Sequence, residues 1–143
     1  MSSVPLHYVD LRAFCYVTED DRRVEDALRT LLPAEFEIDR AESEGYHGDR
    51  ILVLSARVEN ADEVRTVLDR LGDLADDELD RLGDELDERV DENTSFFLTL
   101  DKQAAFNGEV RLGDGITVRA KVEAYPAKRE TAIENAADLL DDL

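Results

Sequence analysis

The sequence predicts an α+β fold: a single domain spanning residues 1–143, in which helices pack on one face of a largely antiparallel β-sheet. Three observations predict it. Several segments alternate apolar and polar residues with the period of two that a half-buried strand requires. Between them lie segments whose apolar residues recur at helical spacing. The connections are of hairpin-turn length, with no linker and no internal repeat, which suits one layer of strands under one layer of helices. A length of 143 residues is that of one domain with a core of its own.

Residues 7–18, HYVDLRAFCYVT, form the first expected strand. Val9, Leu11, Ala13, Cys15 and Val17 fall on one face, and Tyr8, Asp10, Arg12, Phe14 and Tyr16 on the other. Thr18 is placed to cap a helix, with Asp20 and Asp21 in the first turn, where carboxylates suit the helix dipole. Val24, Ala27, Leu28, Leu31 and Leu32 form its apolar stripe, and Pro33 ends it. Residues 36–42 and 51–58 read as strands, separated by a turn at Gly45-Tyr46-His47-Gly48. Asn60 or Asp62 caps a helix striped by Val64, Val67, Leu68 and Leu71. After Gly72, Leu79, Leu82 and Leu86 outline a second amphipathic helix, weakly interrupted by Gly83, in a very acidic segment. Residues 94–101 read as a strand, 103–107 as a turn closed by Gly108, and 110–112 as a short strand before the hairpin-type turn Gly113-Asp114-Gly115. In 116–125 the alternation is clearest: Ile116, Val118, Ala120, Val122 and Ala124 against Thr117, Arg119, Lys121, Glu123 and Tyr125. Pro126 stops that strand. A last helix uses Ile133, Ala136, Ala137 and Leu140, and its acidic end, about 134–143, is expected to fray.

Charge is distributed unevenly. Thirty-six acids stand against 14 Arg and 3 Lys, a formal charge of −19. Between Lys102 and Arg129, six cations face three acids, a local +3 that leaves −22 for the rest of the chain. Few lysines, arginine preferred over lysine, and acids spread along the whole length match a salt-adapted, haloarchaeal-type cytoplasm, where molar salt shortens the screening length to about 3 Å. The single cysteine, Cys15, excludes an internal disulfide and reads as a small buried hydrophobe. No basic-then-apolar leader and no run of about 20 apolar residues is present, so the expectation is a soluble, cytoplasmic protein without membrane contact.

If the apolar strand faces pack under the helices, the opposite face displays Tyr8, Arg12, Phe14, Tyr16, Arg119, Lys121 and Tyr125, with Arg57 as a further member. Aromatic rings interleaved with cations are what unpaired RNA requires: rings stack on bases and cations meet phosphates. The bland alternative is that these rings fill a second core or a dimer interface. Asp101-Lys102-Gln103 offers a carboxylate, an ammonium and an amide on one turn, and His47 stands in a loop. No nucleophile–base pair, CxxC or phosphate-cradling Gly-rich loop appears, so no catalytic residue, metal or cofactor is expected.

In order, the strings FCYVTEDDRRVEDALRTLLP, EGYHGDRI, RVDENTSFFLTLDKQAAFNGEV and VRAKVEAYPAKRE resemble an archaeal family of RNA-binding proteins and predicted exosome subunits, over roughly residues 7–133. The resemblance implies an α+β fold like that of the double-stranded-RNA-binding domain or a large-subunit ribosomal protein, without catalysis. Its polar positions carry over to Arg12, Thr18, Glu19, His47, Asp101, Lys102, Gln103, Lys128 and Arg129. The acidic segments at 73–91 and after Glu130 depart from the family pattern.

The expected function is therefore a non-catalytic RNA-binding accessory factor in RNA processing or degradation, with RNA and exosome- or ribosome-associated proteins as partners and a dimer allowed. The RNA-binding candidates are Arg12, Phe14, Tyr16, His47, Lys102, Gln103, Arg119, Lys121, Lys128 and Arg129. Lys102, Gln103, Lys128 and Arg129 are further expected to converge, since both groups sit at strand ends bounded by turns. The alternative is a protein-interaction module that docks on a larger complex without touching RNA.

Self-repulsion at this charge disfavours the compact state in dilute buffer. The thermal midpoint followed by circular dichroism should rise between ~0.1 M and ~2 M KCl, the range over which screening becomes short-ranged. An unchanged midpoint would contradict salt adaptation.

Overall fold

The computed structural model describes residues 5–16, 18–44, 48 and 50–143. Five strands form one antiparallel sheet: β1 (Leu6–Cys15), β2 (Asp39–Glu44), β3 (Arg50–Val58), β4 (Ser95–Asp101) and β5 (Gly115–Val122), in the order β2-β3-β1-β5-β4. Six helices accompany them: α1 (Asp21–Arg29), α2 (Ala61–Leu71), α3 (Asp76–Asp84), α4 (Leu86–Arg89), α5 (Lys102–Phe106) and α6 (Arg129–Asp141). This is the α+β architecture that the periodicities predict. Among the described residues no helix is long and apolar enough to cross a membrane.

The core lies between the sheet and the helices. Val9, Leu11, Ala13 and Cys15 of β1, Leu54, Ala56 and Val58 of β3, and Ile116, Val118, Ala120 and Val122 of β5 are buried on the same side. They meet Val24, Ala27 and Leu28 of α1, Val64, Val67 and Leu68 of α2, Leu82 of α3 and Ala132 and Ala136 of α6. The one irregularity in β1 is a register shift between Leu6 and Tyr8, which lets Leu6 and Val9 both point inward. At the C-terminus α6 runs through Asp141, and Leu139, Leu140 and Leu143 pack against the core.

Several boundaries differ from the sequence expectation. β1 ends at Cys15, and Val17 lies outside the described residues. Asp20, rather than Thr18, caps α1, its carboxylate accepting from the Arg22 N–H at 2.9 Å. α1 ends at Arg29; Leu31 and Leu32 stay buried in the turn that follows. The second strand is Asp39–Glu44 instead of 36–42. Of the turn placed at 45–48, Gly48 is described, with φ 80°, and Gly45, Tyr46 and His47 lie outside the described residues. The acidic helix breaks at Glu85, not Gly83: the Glu85 carboxylate is held by Arg81 at 2.9 Å and Arg89 at 2.8 Å, and α4 starts anew so that Leu86 stays buried.

The segment expected to be a turn at 103–107 is the helix α5. Asp101 caps it by accepting from Gln103 N–H at 2.8 Å and Ala104 N–H at 3.1 Å. Five residues are too few to be helical alone, so this helix depends on its cap and on α1, where Thr30 Oγ1 donates to the Ala105 carbonyl at 3.1 Å. The strand expected at 110–112 reduces to a bridge between Leu112 and Leu100 on the outer edge of β4. Gly115 has φ 118° and lies so near Lys102 that an added Cβ would stand 2.5 Å from the Lys102 Cβ, which explains why the turn uses glycine there. β5 ends at Val122, so Tyr125 stands beyond it, fully exposed.

Leu11 is 1% exposed in the middle of the central strand. Leu11→Ala should cost about 2–5 kcal/mol of unfolding free energy, whereas Arg12→Ala, on the other face, should stay within about 0.5 kcal/mol. Urea denaturation of the two variants checks both values.

Candidate nucleic-acid interface

Residues directly opposite each other in a ladder point to the same side of the sheet. Tyr8 is opposite Lys121, Asp10 opposite both Arg57 and Arg119, and Arg12 opposite Ser55 and Thr117. Phe14 is opposite Val53, and on β4 Phe97 is opposite Arg119. The side turned away from the helices therefore gathers three rings, Tyr8, Phe14 and Phe97, and four cations, Arg12, Arg57, Arg119 and Lys121. Arg12, Arg119 and Lys121 share this side, opposite the buried Val9, Leu11, Val118 and Val122, as their alternation predicts.

Asp10 is the hub of this face. Its carboxylate accepts two hydrogen bonds from Arg57, Nε at 2.7 Å and Nη2 at 2.9 Å, and a third from Arg119 Nη2 at 3.1 Å. Arg57 is held with its guanidinium carbon 4.1 Å from the centre of the Tyr8 ring. Partial burial pushes the Asp10 carboxyl up, and the hydrogen bonds and charges of Arg57 and Arg119 more than reverse this, so the group lies below the ordinary carboxylate value. Lys121 Nζ donates to the Asn93 carbonyl. Arg12 has no hydrogen-bond or ion-pair partner among the described residues, and Phe14 beside it is 39% exposed.

Lys102, Gln103, Lys128 and Arg129 do not converge. Lys102 is buried, its ammonium 2.8 Å from the Glu19 carboxylate and 3.0 Å from the Phe14 carbonyl, with the Tyr16 ring centre at 5.5 Å. A buried ammonium requires such partners, so Lys102 ties the ends of β1 and β4 together. Arg129 lies at the other end of β4, donating to the carbonyls of Val90 and Asp87, and Val90 bridges to Phe96. Lys128 is exposed at the start of α6. The two groups follow different strands that run in opposite directions, and so sit at opposite ends of the sheet. Gln103 and Tyr16 are exposed near the Lys102 end. His47 lies outside the described residues. Cys15 is buried, and burial together with Glu19 and Asp21 pushes its thiol up, as suits an inert core position.

The sequence does not single out Asp10 as the organising acid, Phe97 as a third ring or Glu19 as the partner of Lys102. Phe97 was within reach, since Ser95, Phe97 and Thr99 alternate with Phe96, Leu98 and Leu100. Nothing in the sequence pairs Glu19 with Lys102. Among the described residues no group of three or more His, Cys, Asp or Glu is arranged to hold a metal ion.

A family model described as RNA binding matches residues 8–122, most of the chain. The chain is 36% identical to an RNA-binding protein of Pyrococcus abyssi, over 94% of each. In structure it is similar to a DUF54 protein from Archaeoglobus fulgidus, with TM-score 0.85, 33% identity, and coverage of 94% of this chain and 99% of that one. A DUF54 protein from Methanothermobacter thermautotrophicus superposes with TM-score 0.77 at 40% identity, over 94% and 98% of the two chains. The chain belongs to this RNA-binding family.

Because the folded-state value of Asp10 is depressed, the stability it contributes is complete above the ordinary value near 3.8 and is lost as pH falls through the depressed value. Wild type should exceed Asp10→Asn in unfolding free energy at pH 7, by an amount constant down to about pH 5. The two curves should close on each other below the ordinary value. Parallel curves down to strongly acidic pH would contradict the ion-pair assignment.

Proposed function

We propose that this member of the family binds single-stranded RNA on the bare face of its sheet, as a non-catalytic accessory factor in RNA processing or degradation. One observation carries the reading: in a chain of charge −19, the face formed by β1, β3 and β5 sets Arg12, Arg57, Arg119 and Lys121 among the rings of Tyr8 and Phe14. Exposed rings stack on unpaired bases without regard to sequence, and cations between them meet the phosphates. Arg57 and Arg119 keep part of their donor sets free of Asp10, and Arg12 is uncommitted among the described residues. Asp10 in this reading holds the two guanidinium groups in place, so that less side-chain freedom is lost on binding.

The exposed large apolar side chains among the described residues are all aromatic: Phe14, Tyr16 and Tyr125. That favours base stacking over an aliphatic groove for docking another protein. Association with an exosome is the finer form of the proposal and rests on the sequence resemblance; co-purification with exosome subunits from a salt-rich archaeal extract tests it.

Phe14→Ala should weaken binding of a fluorescent single-stranded RNA by about 1–3 kcal/mol, the worth of one stacked base. Arg12→Ala should lower the slope of log affinity against log salt by about 0.7, one phosphate contact. Anisotropy titrations at several KCl concentrations measure both. Unaltered binding by both variants would move the interface off this face.

A further inference from the structure

We infer that the cleft between the start of α1 and the short helix α5 takes the base of one unpaired adenine nucleotide. This rests on the RNA-binding reading and adds to it a subsite that reads a base. The cleft has a volume of about 380 Å³ and is lined by Thr18, Glu19, Asp20, Arg23, Gln103 and Phe106, within the size range of sites that hold small ligands.

Three features select its occupant. First, the Arg23 guanidinium lies over the Phe106 ring, 4.8 Å from its centre. This layered pair offers an outer guanidinium plane for a base to stack on. Second, the Gln103 side-chain amide is exposed and has no hydrogen-bond partner among the described residues, while its backbone N–H is fixed at 2.8 Å by the cap residue Asp101. The cap fixes the Cα from which this amide extends, and the amide offers one donor and one acceptor side by side, which matches the adenine N7 and N6 amino group. Third, the remaining walls are acceptors. Asp20 contributes a carboxylate, Thr18 a hydroxyl without a partner among the described residues, and Glu19 a carboxylate neutralised by Lys102 at 2.8 Å. Acceptors on these walls favour a base edge that carries an amino group, which uracil lacks.

The cleft also adjoins the sheet face. The Lys102 ammonium binds Glu19 of the cleft wall and the carbonyl of Phe14, whose ring stands on the face. An RNA strand that leaves the face over Phe14 can reach the cleft at this end of the sheet, with one base turned in.

The test is anisotropy titration of labelled oligo(A) and oligo(U) of about ten nucleotides, long enough to cover face and cleft at the site sizes of single-strand binders. Wild type, Gln103→Ala, Gln103→Glu and Phe14→Ala are compared in salt that keeps all four folded. Wild type should bind oligo(A) on the order of tenfold more tightly than oligo(U), the discrimination one bidentate contact gives. Gln103→Ala should abolish that preference while leaving oligo(U) affinity unchanged. Gln103→Glu, which keeps the acceptor and loses the donor to N7, should retain only part of it. Phe14→Ala should weaken both ligands alike. Equal binding of the two oligonucleotides by wild type, or a preference that survives Gln103→Ala, overturns the adenine subsite; a loss of both affinities in Phe14→Ala would then leave the face reading standing. Binding of neither oligonucleotide overturns both readings.

Discussion

The register of β1 between its two neighbours fixes the rest of the molecule. Leu11 is opposite Ala56 on one side and Val118 on the other, and all three are buried under the helices. Slipping β1 by one residue would turn Arg12, Phe14 and Asp10 into the core and Leu11 into water. Burying an uncompensated guanidinium costs several kcal/mol, so the slipped pairing is strongly excluded. The same burial that builds the core therefore holds a row of rings and cations on the other side, with no separate device required to present them.

A second constraint is electrostatic. In a chain so rich in acids, an unpaired cation in the interior would be out of place, and the local cationic excess is largely committed inside the protein. Of the six cations between Lys102 and Arg129, Lys102 binds Glu19 and Arg119 binds Asp10. Lys121 and Arg129 donate to backbone carbonyls. A cluster of cations along the sequence is thus not a cluster in space, nor a set of free charges. On the sheet face, the cationic donors left free among the described residues are those of Arg12, together with the unshared donors of Arg57 and Arg119, all beside aromatic rings. In the proposed reading, the face would rely on stacking and short contacts more than on long-range attraction, which would suit binding where salt screens charge within a few Å.

The short elements show how tertiary contacts override local rules. α5 has only five residues and forms because Asp101 caps it and α1 supports it. α3 and α4 are divided at Glu85, which binds an arginine on either side, rather than at the glycine two residues earlier. In both places the propensity of the segment was a weak guide, since packing and ion pairs contribute more than the few tenths of a kcal/mol per residue at stake.

The sequence by itself determined the α+β class, the identity of the long strands and helices, and the side of the sheet to which Arg12, Phe14, Arg119 and Lys121 belong. Each of these follows from periodicity within one segment, which fixes the facing of every residue relative to its neighbours in the chain. Only the tertiary structure decided which strand ends meet. The order β2-β3-β1-β5-β4 brings Glu19 to Lys102 across 83 residues and Asp10 to Arg119 across 109. It also parts Lys102 from Arg129, although both sit at strand ends bounded by turns. Periodicity carries no information about pairing between segments, and an ion pair between distant residues exists only once the ladder has set their separation, so these contacts had to be read from the fold.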